Sequence, residues 1–300
     1  MIKTTGITIM DTTLDRAAEA RISAQAVSSF ANTENPRLRR VMTSLVQHLH
    51  DFVRDVELTE EEWFTAIRFL TETGKTCDGV VRQEFILLSD VLGVSMLVDA
   101  INHRAAEDVT ETTVFGPFYI AGMPERSYGE NMALTPGTAA LVHGRVLDPQ
   151  GRALAGVTLD VWQTATNGMY SGQDTEQPVG NLRGRYCTDG QGRFAIRTII
   201  PVSYPIPCDG PVGRLLNASN RHPWRPAHLH FMVDAPGYRS VVTHLFNEGD
   251  PYLASDAVFG VKDSLCVTYQ PRLVDDPLAV EFGFDGPFHE ARYDFVLEPA

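Results

Sequence analysis

A change in the pattern of apolar residues near residue 110 constrains the fold of this chain more than any other feature. Before that point, apolar residues recur at steps of three and four, the period of an amphipathic helix. Beyond it, β-type runs alternate with turn sequences such as "DPQG" (148–151) and "DGQG" (189–192), which favours strands joined as hairpins. The sequence therefore predicts an N-terminal α-helical domain over residues 1–110 and an all-β antiparallel sandwich over residues 111–300.

Helix-end signals mark two segments of the first domain. Asn35 is a suitable N-cap and Pro36 a suitable first helical residue, so one helix is expected to begin there. Thr59 and Glu62 have the spacing of a capping box, and Gly74 is the expected end of the helix that they begin. These signals agree with the periodicity of the residues between them and support the helical assignment.

The remaining elements follow from apolar runs. Residues 80–102 are rich in apolar side chains and predict one buried or interface helix. The second domain contains eight runs that are expected to be strands. They are "AALVHGRVL" (139–147), "GVTLDVWQT" (156–164), "GRYCT" (184–188), "RFAIRTIIP" (193–201), "HLHFMVDA" (228–235), "SVVTHLF" (240–246), "SLCVTYQPRLV" (264–274) and "ARYDFVLEP" (291–299).

Charge, hydropathy and cysteine usage exclude several classes of function. The formal net charge of −13 disfavours binding to nucleic-acid phosphates. No run of about 18 apolar residues is present, so no membrane-spanning helix is expected, and residues 1–20 lack the pattern of a secretory signal. The cysteines form no C-x-x-C pair, which favours the reduced thiols of a cytoplasmic protein over a zinc site or a disulfide scaffold. They are Cys77, Cys187, Cys208 and Cys266.

A pair of histidines lies within the segment "RPAHLHFMV" (225–233). Side chains two positions apart project from the same face of a strand, so His228 and His230 could bind one metal ion. The alternative is a hydrogen-bonded polar face. His48 and His50 have the same spacing on a predicted helix, where two steps rotate the side chains by roughly 200°. We expect that second pair to be solvated or to lie at an interface.

The residues alone leave the other metal ligands open. Tyr170 and Tyr204 lie in Gly- and Pro-bounded loops after apolar strands, where functional side chains are often held. Each tyrosine could equally pack its ring and expose its hydroxyl. Asp234, four residues beyond His230, could complete a two-histidine, one-carboxylate iron site, although a turn is expected to begin there.

Several separated segments together resemble the intradiol ring-cleaving dioxygenases. They are "VFGPFYIAG", "DVWQTATNGMYSGQD", "GRYCTDGQGRF", "IIPVSYPIPCDGP" and "WRPAHLHFMVDAPGY". Their order and spacing match over residues 115–265, and the predicted N-terminal helices match the dimerisation domain of the family. The resemblance implies one non-haem iron(III) per subunit. The ligands that it implies are Tyr170, Tyr204, His228 and His230.

The residue types suit this metal. Phenolates are hard, anionic oxygen donors that favour iron(III) over iron(II), and neutral imidazoles complete the set. The resemblance further implies that Tyr204 acts as the base toward the substrate. It implies that Arg225 stabilises charge that develops on the ring during cleavage of a catechol to a muconate.

The run "THLFNEGDPYLASDAVFGVKDSL" resembles the members of that family that cleave hydroxyquinol (benzene-1,2,4-triol) to 3-hydroxy-cis,cis-muconate, the enol form of maleylacetate. His244 stands where many catechol-cleaving members have glutamine, and we expect it to be catalytic. Asp90 could accept the third hydroxyl of the triol or merely interrupt an apolar helix face. The resemblance implies a substrate pocket of Leu87, Asp90, Val114, Phe115, Gly116, Pro117, Phe118, Ile206, Pro207, Arg225 and Val258.

Three alternatives stay open on the sequence. The first is a catechol or chlorocatechol 1,2-dioxygenase on the same scaffold. The second is a zinc-dependent hydrolase that uses the two histidines, and the third is a non-catalytic β-sandwich binding module. As partners we expect a small aromatic diol or triol, O2, and a second copy of the chain bound through the N-terminal helices. A phospholipid at that interface is implied by the family but not distinguished from ordinary helix packing.

Overall fold

The computed structural model describes residues 12–78, 82–104 and 108–300. It contains two compact units, Met1–Leu70 and Thr71–Ala300. The helices are α1 (Thr12–Ser28), α2 (Pro36–Asp55), α3 (Glu60–Thr76), α4 (Glu84–Val91), α5 (Val94–Asn102), α6 (Pro211–Ala218) and α7 (Pro277–Phe282). The domain boundary expected at residue 110 stays a prediction.

Both helix starts lie at the predicted residues. The Asn35 side chain accepts hydrogen bonds from the backbone N–H groups of Arg37 and Leu38, at 2.9 and 3.0 Å. The Thr59 N–H donates to the Glu62 carboxylate at 3.0 Å and the Glu62 N–H donates to the Thr59 hydroxyl at 3.3 Å, which is the predicted capping box. Both predicted helix starts are therefore confirmed.

Two helix predictions were wrong, and both involve glycine. Helix α3 continues through Gly74 to Thr76, because a glycine in a helix interior costs only about 1 kcal/mol relative to alanine and need not end the helix. The single helix expected over residues 80–102 is two helices, α4 and α5, and residues 80–81 lie outside the described part. Gly93 separates them with a φ of +72°, a left-handed conformation that glycine adopts without strain.

The strands form two five-stranded sheets and one short ribbon. They are β1 (Ala139–Leu147), β2 (Thr158–Trp162), β3 (Arg183–Cys187), β4 (Arg193–Ile199), β5 (Tyr204–Pro205), β6 (Trp224–Arg225), β7 (His228–Asp234), β8 (Val241–Asn247), β9 (Cys266–Val267), β10 (Gln270–Arg272), β11 (Phe288–Arg292) and β12 (Phe295–Val296). The first sheet has the order β10-β11-β1-β12, with β4 also paired to β1. The second has the order β3-β2-β7-β8-β9, and β5 pairs with β6.

The predicted sandwich is confirmed, with some differences in pairing. The long pairings β1–β4, β2–β3, β2–β7 and β7–β8 are antiparallel, whereas β1–β11, β1–β12 and β8–β9 are parallel. The turns at 148–151 and 189–192 form, with the N–H of Gly151 and of Gly192 bonded back to the aspartate carbonyl at 2.9 and 3.0 Å. The expected hairpins do not form, because each turn connects strands of different sheets.

Two runs that were expected to be single strands are interrupted. The run 264–274 forms β9 and β10, which pair with strands of different sheets, so the chain crosses between the sheets there. The run 291–299 forms the end of β11 and β12. Between them the Asp294 carboxylate accepts the Arg145 backbone N–H at 2.8 Å, in place of a strand-to-strand bond.

The core between the two sheets determines which face of β7 carries the histidines. Leu229, Phe231 and Val233 point into this core with side chains of the facing sheet, and all three are fully buried. The alternation of a strand therefore directs His228 and His230 to the opposite face. Helices α4 and α6 contribute to a second apolar cluster, which is built with loop residues near Val114, Ile206 and Val258.

Two predictions about the class of protein can be compared with the structure. No helix within the described ranges is long and apolar enough to cross a membrane. All four cysteines are free thiols, as predicted. The expectation that residues 1–20 carry no secretory signal concerns a segment of which residues 1–11 lie outside the described part.

Candidate metal centre and substrate cavity

Four side chains predicted as metal ligands converge on one buried point. The His228 and His230 Nε2 atoms are 3.1 Å apart. The Tyr170 hydroxyl lies 2.9 Å from His230 Nε2 and 3.2 Å from the Tyr204 hydroxyl. All four side chains are at most 5% exposed. Residues from β7, from the β5–β6 ribbon and from the loop after β2 thus bring two phenols and two imidazoles together.

Burial keeps the two imidazoles neutral, which is the form that binds metals. It lowers the pKa of His228 to about 3, with the positive charge of Arg225 acting in the same direction. Burial also holds the pKa of His230 well below its usual range. The His228 Nδ1–H donates to the Pro226 carbonyl at 2.7 Å, so its Nε2 lone pair points toward His230. This backbone bond orients the ring as metal-bound histidines require.

The donor set fits a metal ion. Two Nε2 atoms at 3.1 Å can share at most one proton, and His230 Nδ1 has no hydrogen-bond partner among the described residues. Burial holds the pKa of Tyr170 well above its usual range, and the neighbouring Tyr204 raises it further. A cation bound between these groups would supply the charge that a buried phenolate needs.

His244 adds a third imidazole to this cluster. It lies directly opposite His230 in the β7–β8 pairing, and its ring centroid is 4.0 Å from that of His230 and 4.7 Å from that of His228. Each of the three histidines offers a nitrogen within 4.8 Å of the others. The Nε2 atom of His244 has no hydrogen-bond partner within the described ranges. The sequence placed His244 in the site but did not indicate it as a potential ligand.

Arg225 lies directly beside the imidazoles. Its Nη1 is 3.4 Å from His228 Nε2 and its Nη2 is 3.4 Å from His244 Nδ1. Tyr204 is its partner across the β5–β6 ribbon, so one short pairing fixes both residues. A permanently charged donor therefore lies next to the candidate metal centre.

Asp256 holds this arginine, and the sequence analysis missed it. Its carboxylate oxygens lie 3.1 Å from Arg225 Nε and 3.2 Å from Arg225 Nη2. Burial alone would raise the pKa of Asp256, but the positive charge of Arg225 lowers it overall. The same carboxylate accepts the backbone N–H of Gly260 at 2.9 Å. An aspartate before a glycine-containing turn is a common loop pattern, so the sequence offered no specific signal for Asp256.

Aromatic rings stack against two of the candidate ligands and restrict their orientation. Trp162, which the sequence analysis did not select, stacks on His230 with centroids 4.7 Å apart and an interplanar angle of 13°. Phe118 stacks on Tyr170 at 4.6 Å. A Cβ on Gly116 would lie 3.4 Å from His230 Cε1, and its φ of +74° also favours glycine. These contacts leave the ligand rings little room to turn.

The predicted pocket residues occupy two adjoining places. A cavity of about 550 Å³ is lined by the predicted Leu87, Asp90, Pro117, Phe118 and Pro207. The apolar cluster beside it shares Leu87 and contains three further predicted residues, Val114, Ile206 and Val258. Phe115 packs against Trp162 with ring centroids 6.0 Å apart, and Gly116 lies against His230.

Asp90 is the one acidic side chain among the predicted pocket residues. It is 6% exposed and lies on α4, in the wall of the cavity. Burial raises the pKa of Asp90 above its usual range, and a hydrogen bond from Ser95 and the positive charge of Arg225 offset part of that rise. A carboxylate in this setting can accept a hydrogen bond from a bound hydroxyl.

Asp234, His48 and His50, which were also considered as possible ligands or as a second histidine pair, lie outside the histidine cluster. Asp234 is the last residue of β7, opposite Thr158, and does not join the histidine cluster. His50 on α2 bonds to the Ser23 hydroxyl at 2.9 Å, and His48 is exposed, as expected for a pair that cannot share an ion.

Comparison with known proteins gives consistent results over nearly the whole chain. The family model described as "Dioxygenase" matches residues 114–299, and the model described as "Catechol dioxygenase N terminus" matches residues 35–110. A hydroxyquinol 1,2-dioxygenase of Rhizobium sp. is 49% identical over 282 residues, which cover 93% of this chain and 95% of the relative.

Two further relatives agree. A 6-chlorohydroxyquinol 1,2-dioxygenase of Cupriavidus pinatubonensis is also 49% identical, over 93% of this chain and 96% of the relative. The crystal structure of hydroxyquinol 1,2-dioxygenase from Pseudomonas putida superposes with a TM-score of 0.91 at 67% identity, covering 95% of this chain and 100% of that chain.

Proposed function

The chain belongs to the intradiol dioxygenase family, and from that premise we propose that it cleaves hydroxyquinol with O2 to 3-hydroxy-cis,cis-muconate, the enol form of maleylacetate, in aromatic compound catabolism. The observation that carries the proposal is the buried convergence of two tyrosines and two histidines. Family membership argues against the zinc hydrolase and the binding module. The identity of the relatives favours hydroxyquinol over catechol or chlorocatechol.

Tyr170, Tyr204, His228 and His230 would hold one iron(III) in each subunit. The family is dependent on non-haem iron, and two phenolates with two neutral imidazoles suit the trivalent ion. When bound, the iron supplies the Lewis-acid and electron-transfer chemistry that lets a catecholic ring react with O2.

The chain's own residues prepare the substrate for this chemistry. Tyr204, which would be a phenolate as a ligand, would take up a proton from a substrate hydroxyl at its phenolate oxygen, become a neutral phenol and so act as the base. Arg225, held by Asp256, stabilises negative charge as it develops on the ring. His244 packs against both imidazoles and its ring borders Arg225, so we assign it a catalytic role in positioning these groups at the reacting ring. Burial of all these groups keeps water from the site.

Asp90 would select the triol. Its carboxylate, which already interacts with the Ser95 hydroxyl, accepts the third hydroxyl of the triol. Catechol lacks that hydroxyl and would leave the buried carboxylate one hydrogen bond short. The apolar members of the predicted pocket would surround the remaining ring edge.

Oxygen uptake tests the proposal. Iron-replete protein is supplied with hydroxyquinol and with catechol in parallel, with a correction for autoxidation of the triol. We expect one O2 per triol and much slower uptake with catechol. Equal or faster uptake with catechol would overturn the assignment of the substrate, and no uptake with either compound would overturn the proposed function.

We further propose a homodimer formed through the N-terminal helices. Helix α2 exposes a row of apolar side chains at helical spacing that includes Leu38, Val41, Leu45, Leu49 and Phe52. Light scattering on the purified protein should give twice the chain mass of 33.1 kDa. Mass spectrometry of a solvent extract would show whether a phospholipid accompanies the dimer.

A further inference from the structure

Arg183 is a buried guanidinium with an unused hydrogen-bond donor. It is the first residue of β3 and is 3% exposed. Its Nε donates to the Ser171 hydroxyl at 2.8 Å and its Nη2 donates to the Ser171 carbonyl at 3.0 Å. Its Nη1 has no hydrogen-bond partner in the described part of the chain. Two of the three nitrogens thus fix the group while the third stays available.

Several other buried charged groups among the described residues form ion pairs, whereas Arg183 forms none there. Arg225 is paired with Asp256, and on the same strand as Arg183 the side chain of Arg185 holds the buried Asp160 at 2.6 and 2.8 Å. The partners found for Arg183 among the described residues are the two neutral oxygens of Ser171. Burial lowers the pKa of Arg183 to about 10, so the group still carries its charge at neutral pH. A buried cation of this kind favours an anionic partner.

The position of Arg183 indicates where that partner would come from. Arg183 lines the same cavity as Asp90, Phe118 and Pro207. Its guanidinium carbon is 5.9 Å from the centroid of the Tyr170 ring, next to the candidate metal centre. Arg82 also lines this cavity, but it is already ion-paired with Glu84 and Asp209.

We propose that Arg183 is an anion subsite that binds a carboxylate of the ring-opened product. This inference rests on the proposed function, since the triol is neutral when it enters and ring cleavage creates two carboxylates. A planar guanidinium with a free N–H group recognises a carboxylate and discriminates against a neutral phenol. Arg183 therefore binds dicarboxylates, such as the ring-opened product, more tightly than it binds the neutral substrate.

The dissociation constant of cis,cis-muconate, measured by titration calorimetry on iron-replete protein, tests this subsite. Arg183→Gln should raise the constant about tenfold, and Arg183→Lys, which keeps the charge but loses the planar fork, about threefold. The KM for hydroxyquinol should change less than about twofold, because the neutral substrate does not use the charge. Arg292→Gln, which removes an exposed charge instead, is the matched control and should bind muconate as wild type does.

Unchanged muconate affinity in Arg183→Gln would overturn the inference. If the visible absorption band of the iron–phenolate pair shifts in the same variant, the role of Arg183 is restricted to the charge of Tyr170. If Arg183→Gln does not fold, Ser171→Ala decides. It keeps the cation but removes the hydroxyl that fixes Nε, so the guanidinium is no longer held in place and muconate binding should also weaken.

The binding measurement needs no turnover, so it is separable from the proposed function. If wild-type protein cleaves the triol and Arg183→Gln binds muconate as tightly as wild type does, the proposed subsite alone is wrong. Wild-type protein that does not cleave the triol defeats the proposed function.

Discussion

At the scale of single residues, burial decides what the groups of the candidate site can do. The two histidines are neutral because they are buried, and burial also raises the pKa of Tyr170, so a nearby cation is needed to stabilise its phenolate. The same burial makes each charged group dependent on its partner. The consequences can therefore be tested one side chain at a time.

Removing the Tyr204 hydroxyl should stop the reaction without unfolding the protein. Tyr204→Phe keeps the buried ring, so we expect a folded protein that binds iron with altered colour and turns over at least about 10²-fold more slowly. The visible spectrum and kcat are the measurements. Turnover equal to that of wild type would refute Tyr204 as the base.

Neutralising Asp90 should narrow the difference between the two substrates. Asp90→Asn has nearly the same shape but is a weaker acceptor, so kcat/KM for hydroxyquinol should fall about 10- to 100-fold, with a smaller change for catechol. Steady-state oxygen uptake with both compounds gives the ratio. An unchanged ratio would remove Asp90 from the specificity of the site.

Removing the charge of Asp256 should destabilise the fold. Asp256→Asn leaves Arg225 buried and unpaired, which should lower the free energy of unfolding by about 3 to 5 kcal/mol. The pKa of Asp256 is lowered in the folded state, so this stabilisation is present above about pH 4 and is lost as the pH falls through the folded-state value. Thermal unfolding between pH 7 and pH 3 should show a difference between wild type and variant that shrinks with acidification. A difference that is independent of pH would contradict this account.

At the scale of elements, the sequence predicted what depends on neighbours along the chain. The Asn35 cap, the Thr59–Glu62 box and the strand that carries His228 and His230 were all predicted, because each is a short-range pattern. The division of the third helical segment at Gly93 was not, since the apolar period continues across the break. The sequence also did not predict that each of the two turns connects strands of different sheets, because a turn sequence does not say which sheet the next strand joins.

Replacing two glycines tests this view of the helices. Gly93→Ala forces alanine into a left-handed conformation between α4 and α5 and should cost about 1 kcal/mol or more. Gly74→Ala is the matched control inside α3, where alanine should stabilise by about 0.5 to 1 kcal/mol because its Cβ meets only Phe85, at 3.6 Å. Urea unfolding gives both values, and the same sign for both would contradict the assigned break.

At the scale of the whole molecule, the candidate site combines segments that lie far apart in the sequence. The tyrosines, the histidine pair and the arginine could be selected from the sequence because each lies in a recognisable motif. Asp256, Trp162 and Arg183 could not, since their importance comes from contacts made only in the folded chain. The family resemblance supplied the set of ligands, and the fold brings their donor atoms within hydrogen-bonding distance of one another.

The central claim is cleavage of the bond between two hydroxylated ring carbons, and labelled oxygen tests it most directly. Iron-replete protein converts hydroxyquinol under ¹⁸O2, and mass spectrometry identifies the product. We predict 3-hydroxy-cis,cis-muconate, or its keto form maleylacetate, with label from O2 in its carboxylates. A semialdehyde opened beside the two hydroxyls, or a dicarboxylate without label, would contradict the account.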